Sequence, residues 1–301
     1  MGQLTAIILG AAAGGGFPQW NCFCPVCRLA WAGDKRVKPR TQTSLAASAD
    51  GRHWVLLNAS PDLRSQLQAT PVLHPRRALR DSPIAAVVLT GAEVDQTAGL
   101  LSLRERQTFT LCATAEIFSA VNANPMFGVL APDVVTRRIV ATGKSFTLPS
   151  GIDAELFTVP GKVPLYLEDE IPDIARDDGT NVGIELSAGN GRLLYVPGAA
   201  AITPALATRL RRADIIFFDG TLFTDDEMIA TGTGTKTGRR MGHMPIDGKD
   251  GSLAALADLR ARRIYIHINN TNPVLIDGSA ERRKVEGAGW EIAEDGMRIE
   301  L

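Results

Sequence analysis

Four short apolar runs, each followed at once by polar residues, constrain this chain more than any other feature. The runs are HWVLLNAS (53–60), IAAVVLT (84–90), DIIFFDGT (214–221) and RIYIHINN (263–270). Runs of this length and composition predict strands buried on both faces of a sheet. The polar residues at their ends are Asn58, Ser60, Asp62, Glu93, Asp95, Gln96, Asp219, His267, Asn269 and Asn270. Because ligand sites of open α/β sheets lie beyond the carboxyl ends of strands, we expect one shared site.

The remaining pattern predicts a single mixed α/β domain over 1–301, with strand–helix units and hairpins. Further strands are expected at 3–10 and 109–114, a hairpin over 183–198 turning at Asn190-Gly191, and a strand pair at 290–301. Helices are expected from Pro61 with Ser60 as N-cap, over 97–106, over 115–121, and before 214 and 263. The stretches 160–180 and 231–251 are expected to be loops.

Composition excludes several classes of function. The formal net charge is −1, so no overall field attracts nucleic acid or an acidic membrane surface. The N-terminus has no basic residue before its short apolar run, and no window reaches the ~18 apolar residues of a membrane span. We therefore expect a cytoplasmic protein without nucleic-acid binding or membrane insertion.

Three of the four cysteines stand together in GGGFPQWNCFCPVC, as Cys22, Cys24 and Cys27. Thiolates are soft ligands that suit zinc, and short spacings let one loop supply several of them. This usage is typical of a metal site in a reducing compartment and not of a disulfide framework. The cluster predicts a structural Zn²⁺.

A tetrahedral site needs a fourth ligand from elsewhere in the chain. Of the four histidines, His53 and His74 lie in segments typical of surface turns. We therefore favour His267 as the fourth ligand, with His243 as the alternative.

A second set of ligands is suggested by acids and a histidine at strand ends. Glu93 and Asp95 lie in a strand-to-helix turn, where they could bind a metal or complement a helix N-terminus. Asp219 could face a metal or form an Asp-Gly turn, and His267 could be a ligand or a core histidine.

The glycine-rich stretch TGTGTKTGRRMGHM (231–244) carries Lys236, Arg239, Arg240 and His243. It lacks the residue order of a phosphate-binding P-loop. It is interpreted either as a solvated loop or as a mobile lid whose cations hold an anionic ligand.

Together these stretches resemble the coenzyme PQQ synthesis protein B family of the metallo-β-lactamase superfold. The matching segments are GAAAGGGFPQWNCFCPVC, PRTQTSLAAS, LLNASPDLR, ALRDSPIAAVVLT, DQTAGLLSLRE, VPGKVPLYLED, FFDGT, GTGTKTGRRMGHM and IHINNTNPVL. The resemblance implies an αββα sandwich, two mixed sheets with helices outside. It also implies a role in making pyrroloquinoline quinone (PQQ) from a glutamate–tyrosine precursor.

The resemblance also aligns the superfold's metal motif with this chain. Gly91 and Glu93 stand at the two early histidine positions, Asp95 matches, and Gln96 replaces the next histidine. Asp219 and His267 match the bridging aspartate and the last histidine. Glu93, Asp95, Asp219 and His267, with His243 and the weak ligand Gln96, then suit one Fe²⁺ better than two zinc ions.

Three functions follow, in order of preference. The first is an iron-dependent oxygenase that hydroxylates the tyrosine ring of the precursor, the second a non-catalytic carrier of PQQ or its precursor, and the third a hydrolase. The expected catalytic residues are Asp95, Asp219, His243 and His267, and the expected substrate-binding residues are Lys236, Arg239, Arg240, Asn269 and Asn270. A homodimer is left open.

Overall fold

The computed structural model describes residues 3–168 and 177–301, so part of the expected loop 160–180 lies outside the described residues. These residues form two seven-stranded sheets. The strands are β1 (Thr5–Gly10), β2 (Ser44–Ser48), β3 (Trp54–Leu57), β4 (Ile84–Val88), β5 (Phe109–Ala113), β6 (Val135–Ile139), β7 (Ser145–Leu148), β8 (Ile152–Thr158), β9 (Val182–Ala188), β10 (Gly191–Val196), β11 (Ile215–Asp219), β12 (Arg262–Ile266), β13 (Trp290–Ile292) and β14 (Arg298–Glu300). Their orders are β14-β1-β2-β3-β4-β5-β6 and β13-β12-β11-β10-β9-β8-β7.

Short helices connect and flank these strands. The α-helices are α1 (Pro25–Trp31), α2 (Leu63–Ala69), α3 (Val94–Thr97), α4 (Ala115–Asn122), α5 (Pro204–Leu210), α6 (Glu227–Ala230), α7 (Ser252–Ala255) and α8 (Ala280–Gly287). Single 3₁₀ turns cover Pro71–Leu73, Ala98–Leu103, Pro125–Val129, Pro149–Gly151, Leu165–Leu167, Arg239–Met241 and Pro273–Leu275. Both sheets are mixed, because β3 to β6 and β10 to β13 run parallel while their other neighbours pair antiparallel.

The side chains of the second sheet alternate between its two faces, and they divide the hydrophobic core into two layers. Leu193 and Tyr195 of β10 pack into the layer between the two sheets, whereas Leu194 and Val196 pack into the layer that contains residues of α5 and α8. Successive side chains of a strand point to opposite faces, so a continuous apolar run serves both layers. The expected layered α/β architecture, an αββα sandwich, is confirmed.

Several local expectations hold and others do not. The hairpin is confirmed, but Gly191 of β10 already pairs with Ala188 of β9, so its two-residue turn is Gly189-Asn190 and not Asn190-Gly191. The helix expected from Pro61 begins two residues later, at Leu63, with Asp62 and not Ser60 at the N-cap.

The C-terminal strands do not pair with each other as expected. β13 pairs with β12 in the second sheet, and β14 pairs with β1 in the first. Between them, Asp295 accepts hydrogen bonds from the Ala11 N–H at 3.0 Å and from the Thr41 hydroxyl at 2.7 Å. The C-terminal segment therefore joins the two sheets beside the loop that carries the cysteines.

Candidate metal centres and cavity

The three clustered cysteines converge, as their spacing predicts. Cys24 is the N-cap of α1, and its sulfur accepts from the backbone N–H of Cys27 at 3.4 Å. The Sγ atoms of Cys22, Cys24 and Cys27 all lie within 4.8 Å of one another. The side-chain hydrogen bond between Cys24 and Cys27 raises the pKa of the Cys24 thiol and lowers that of Cys27. Three soft donors this close together can supply three of the four ligands of a tetrahedral zinc site.

Asn270 contacts all three sulfur atoms and is therefore the candidate for a fourth ligand. Its Nδ2 is 3.1 Å from Cys22 Sγ and 3.3 Å from Cys27 Sγ, and its backbone oxygen is 3.7 Å from Cys24 Sγ. Rotation of the side-chain amide by about 180° places Oδ1, an atom that can bind a metal ion, where Nδ2 now lies. The substrate contact expected of Asn270 is therefore replaced by contact with the thiols.

Neither histidine proposed as the fourth ligand reaches the cysteines. The Nε2 atom of His267 lies 2.9 Å from Asp95 Oδ2, and its Nδ1 atom lies 2.8 Å from Thr221 Oγ1. His243 uses Nδ1 on Asp219 Oδ2, at 2.7 Å. Both histidines belong to a second cluster, so the expectation that one of them completes the cysteine set is not met.

This second cluster brings together all four residues predicted to be catalytic. Ligand atoms of Asp219, His243 and His267 lie within 4.8 Å of one another, and Asp95 contacts His267. The two imidazole rings stack with centroids 5.2 Å apart. A site of two imidazoles and two carboxylates suits a borderline divalent ion such as Fe²⁺. The donor chemistry therefore fits the second metal that the family resemblance implies.

Thr221, which sequence reasoning missed as a site residue, ties this cluster together. Its hydroxyl lies 2.6 Å from Asp219 Oδ1, 2.8 Å from His267 Nδ1 and 3.1 Å from His243 Nδ1. Its own backbone N–H donates to Asp219 Oδ1 at 3.0 Å. The signal was present in FFDGT, where the hydroxyl stands two residues after the acid.

The electrostatics of the second cluster favour ionised Asp95 and Asp219 and the protonated form of His267. Burial would raise the pKa of Asp95 and Asp219, but the hydrogen bonds and charges of His267 and His243 outweigh it and lower both values. Burial would lower the pKa of His267, but Asp95 and then Asp219 outweigh it and raise the value. His267 also has φ 60°, in the left-handed region that non-glycine residues rarely occupy. Backbone strain of this kind concentrates at functional sites.

Glu93 and Gln96, expected as ligands of the second site, form a capping box on α3. Each side chain bonds the backbone at the other residue, with Glu93 N–H donating to Gln96 Oε1 at 3.1 Å. The Glu93 carboxylate also binds Lys162 Nζ at 2.9 Å. Their oxygens are committed to these contacts, so the structure does not bring Glu93 or Gln96 into the cluster.

The polar residues after β3 also serve structural roles. Asn58 donates to Thr90 Oγ1 at 2.9 Å, and the Ser60 hydroxyl donates to Gln66 Oε1 at 3.1 Å. Asp62 accepts from the side chain of Gln42 at 3.0 Å. Of the four predicted strand ends, three supply residues of the second cluster and the first supports the loops behind them.

A cavity of about 440 Å³ opens over the second cluster. Its lining includes Asp95, His243, His267, Asn269, Lys162 and Lys236. Arg240 contacts Glu168 at the same wall, whereas the Arg239 guanidinium turns to the Asp250 carbonyl at 3.1 Å. Lys236 and Asn269 thus lie where a bound ligand would, and Arg239 does not.

Residues 53–268 match the sequence model of the β-lactamase superfamily domain. A diphosphatase of the PhnP family shares the fold, with TM-score 0.70 and 19% identity over 99% of this chain and 97% of that one. At that identity the likeness concerns the fold alone. The two sheets and the ligands at their edge therefore define a domain of the metallo-β-lactamase class.

Relatives with higher sequence identity define the family within this class. A coenzyme PQQ synthesis protein B from Methylobacterium sp. (strain 4-46) is 58% identical over 299 residues, covering 99% of this chain and all of the relative. The crystal structure of zinc-bound PqqB from Methylobacterium extorquens matches with TM-score 0.97 and 54% identity, over 99% of this chain and 100% of that one. The chain belongs to the coenzyme PQQ synthesis protein B family. Within the described residues, no helix is long and apolar enough to cross a membrane.

Proposed function

We propose that this chain acts in PQQ synthesis as an iron-dependent oxygenase that hydroxylates the tyrosine ring of a glutamate–tyrosine precursor. The observation that carries the proposal is that Asp95, His243 and His267 line the cavity, with the buried Asp219 carboxylate directly behind the two histidines. The name that the relatives carry supports the pathway. The zinc of the solved relative supports a structural Zn²⁺ at the cysteine set.

Each residue of the site has a distinct task. Asp95 orients the ring of His267 through its Nε2 atom, and the Thr221 hydroxyl contacts the Nδ1 atoms of both His267 and His243. The pKa of the fully buried Asp219 carboxyl is lowered by His243, then by His267 and the Thr221 hydroxyl, so the carboxylate stays ionised. An Fe²⁺ ion bound here would supply the one-electron chemistry with dioxygen that a phenol ring otherwise resists.

The lining of the cavity suits a substrate with an aromatic ring and carboxylates. Val94 and Leu165 line the cavity and offer apolar surface to a ring, while Lys162 and Lys236 offer charge to carboxylates. In the overall reaction, one oxygen atom of dioxygen enters the ring C–H bond. The other leaves as water with two protons and two electrons from an external reductant such as ascorbate.

The test is anaerobic reconstitution with Fe²⁺, followed by precursor, ascorbate and ¹⁸O₂. The expected product is the precursor with one ¹⁸O atom in its ring, detected by mass spectrometry. His267→Ala should abolish the product, whereas His53→Ala, which removes an exposed histidine bound only to Asp50, should not. Protein shown to contain iron that forms no product would overturn the oxygenase.

A carrier is the second candidate, because Gly91 and Glu93 leave two histidine positions of the superfold without a ligand, and Glu93 is bound to Lys162. Tight PQQ binding that survives Asp95→Asn and Asp219→Asn would favour the carrier. Binding lost with these carboxylates would favour a metal-dependent site.

A further inference from the structure

Three cations converge on one carboxylate at the wall of the cavity. Glu168 lies 2.6 Å from Lys162 Nζ, 3.4 Å from the Arg240 guanidinium and 3.6 Å from Lys236 Nζ. Its side chain is 7% exposed. Lys162 follows β8, while Lys236 and Arg240 belong to the glycine-rich stretch 231–244, so the carboxylate joins two separate segments.

The charge of this group is unbalanced within the described residues. Lys162 also binds Glu93 at 2.9 Å, so two carboxylates face three cations. Burial would raise the pKa of Glu168, but Lys162, Lys236 and Arg240 outweigh it and keep the carboxylate ionised. These five side chains alone therefore carry one positive charge in excess, and an anion that reaches Lys236 and Arg240 would neutralise it.

The two cations of the glycine-rich stretch hold Glu168 less closely than Lys162 does. Their distances of 3.4 and 3.6 Å exceed those of direct charge-assisted hydrogen bonds, which are about 2.7–2.9 Å. Their side chains are also 36% and 41% exposed, against 13% for Lys162. Pairs with a half-exposed cation at these distances contribute less than a close pair, so Lys236 and Arg240 can exchange Glu168 for another anion.

We infer that Lys236 and Arg240 form a carboxylate-binding subsite that Glu168 occupies in the free protein. A ligand carboxylate displaces Glu168 from these two cations. Lys162 then stays with Glu93 and Glu168, and the ligand completes the charge balance. The inference rests on the proposed function only in taking the cavity as the place where substrate binds. Glu168 thereby favours ligands with several carboxylates, because each carboxylate that engages a cation adds to the displacement.

The test is a titration of the full chain with benzene-1,3,5-tricarboxylate, followed by isothermal calorimetry at low salt. Glu168→Gln removes the competing charge, so it should bind the probe about three- to tenfold more tightly. The matched control Glu300→Gln, which breaks an exposed pair with Arg298 on β14, should bind as the unaltered chain does. Unchanged or weaker binding by a folded Glu168→Gln would show a structural brace and overturn the inference.

Two further arms make the result decisive. Lys236→Met changes an exposed side chain, and it should weaken probe binding about three- to tenfold even if the Glu168 variant does not fold. Binding unchanged by Lys236→Met overturns the inference. Inorganic phosphate, which engages the cations through a single group, should bind more weakly than the tricarboxylate to both proteins; equal or tighter phosphate binding would assign the subsite to phosphate and overturn the carboxylate assignment. None of these arms measures turnover, so a chain that binds the probe but does not hydroxylate the precursor contradicts only the proposed function.

Discussion

His267 and Asn270 stand three residues apart after β12, yet they belong to two different ligand clusters. Between them, Ile268 is fixed to the cysteine-bearing segment by two backbone hydrogen bonds, from its N–H to Ala11 O at 2.9 Å and to its carbonyl from Ala13 N–H at 2.8 Å. A change at the thiols therefore reaches His267 through a short, hydrogen-bonded stretch.

This link predicts that the cysteine site supports the second site. Cys27→Ser should remove zinc and weaken Fe²⁺ binding at the second cluster about tenfold, an effect typical of disturbed supporting residues. Metal analysis and Fe²⁺ titration measure the two effects. Cys112→Ala is the matched control, since Cys112 is buried in β5 away from the cluster. Unaltered Fe²⁺ affinity in Cys27→Ser would show that the two sites are independent.

Thr221 should tune the second site without holding metal itself. Thr221→Val keeps the shape but removes the hydroxyl shared by Asp219, His243 and His267, so Fe²⁺ affinity should fall about 10–100-fold. Thr233→Val, at an exposed hydroxyl, should leave it unchanged. Equal affinity in the two variants would mean that the ligands do not depend on Thr221.

Gln96 and Asp95 are neighbours in sequence, but substitution of Gln96 should lower stability whereas substitution of Asp95 should abolish metal binding. Gln96→Ala loses the cap on α3 and should cost about 1 kcal/mol of unfolding free energy while retaining metal. Asp95→Asn should lose metal, because His267 loses the carboxylate that orients it. Chemical denaturation and metal content distinguish the two; metal loss in Gln96→Ala would return Gln96 to the ligand set.

Ionisation of the buried Glu227 carboxyl should lower the free energy of unfolding as pH rises. Burial raises its pKa from 4.5 to about 7, although hydrogen bonds from Thr271 and the backbone oppose the shift. A carboxyl with a raised folded pKa contributes stability that is present below pH 4.5 and is lost as pH rises through about 7.

Glu227→Gln should remove this pH dependence. The unaltered chain should lose about 2–3 kcal/mol of unfolding free energy between pH 4.5 and 8 relative to Glu227→Gln. Urea unfolding at both pH values measures the difference, with Glu300→Gln as the exposed control. Parallel pH profiles for the chain and Glu227→Gln would contradict the assignment.

Local sequence predicts much of the fold and the composition of both sites. Apolar runs predict β10, β11 and β12 because each is buried on both faces, and close spacing predicts that the cysteines meet. The exposed pattern of β6, VTRRI, gives no such signal, and β6 was not predicted.

The errors at the sites have physical causes. The positive φ of His267 turns the chain, so His267 and Asn270 face different clusters, and spacing alone does not reveal that turn. Glu93 and Gln96 have the spacing of a capping box, a signal that the metal motif obscured. Lys162 and Glu168 become important only through contacts with distant segments.

The bond from Ala11 to Asp295 spans 284 positions of sequence, and it bears on synthesis at the ribosome. When the cysteines emerge, the segment beside them still lacks Asp295, the paired edge of β1 and Asn270. Thiolates can capture zinc as soon as they are exposed, but three ligands without a fourth hold it loosely. On the proposed zinc site, secure metal binding is therefore a late event, which follows translation of the segment that carries Asn270.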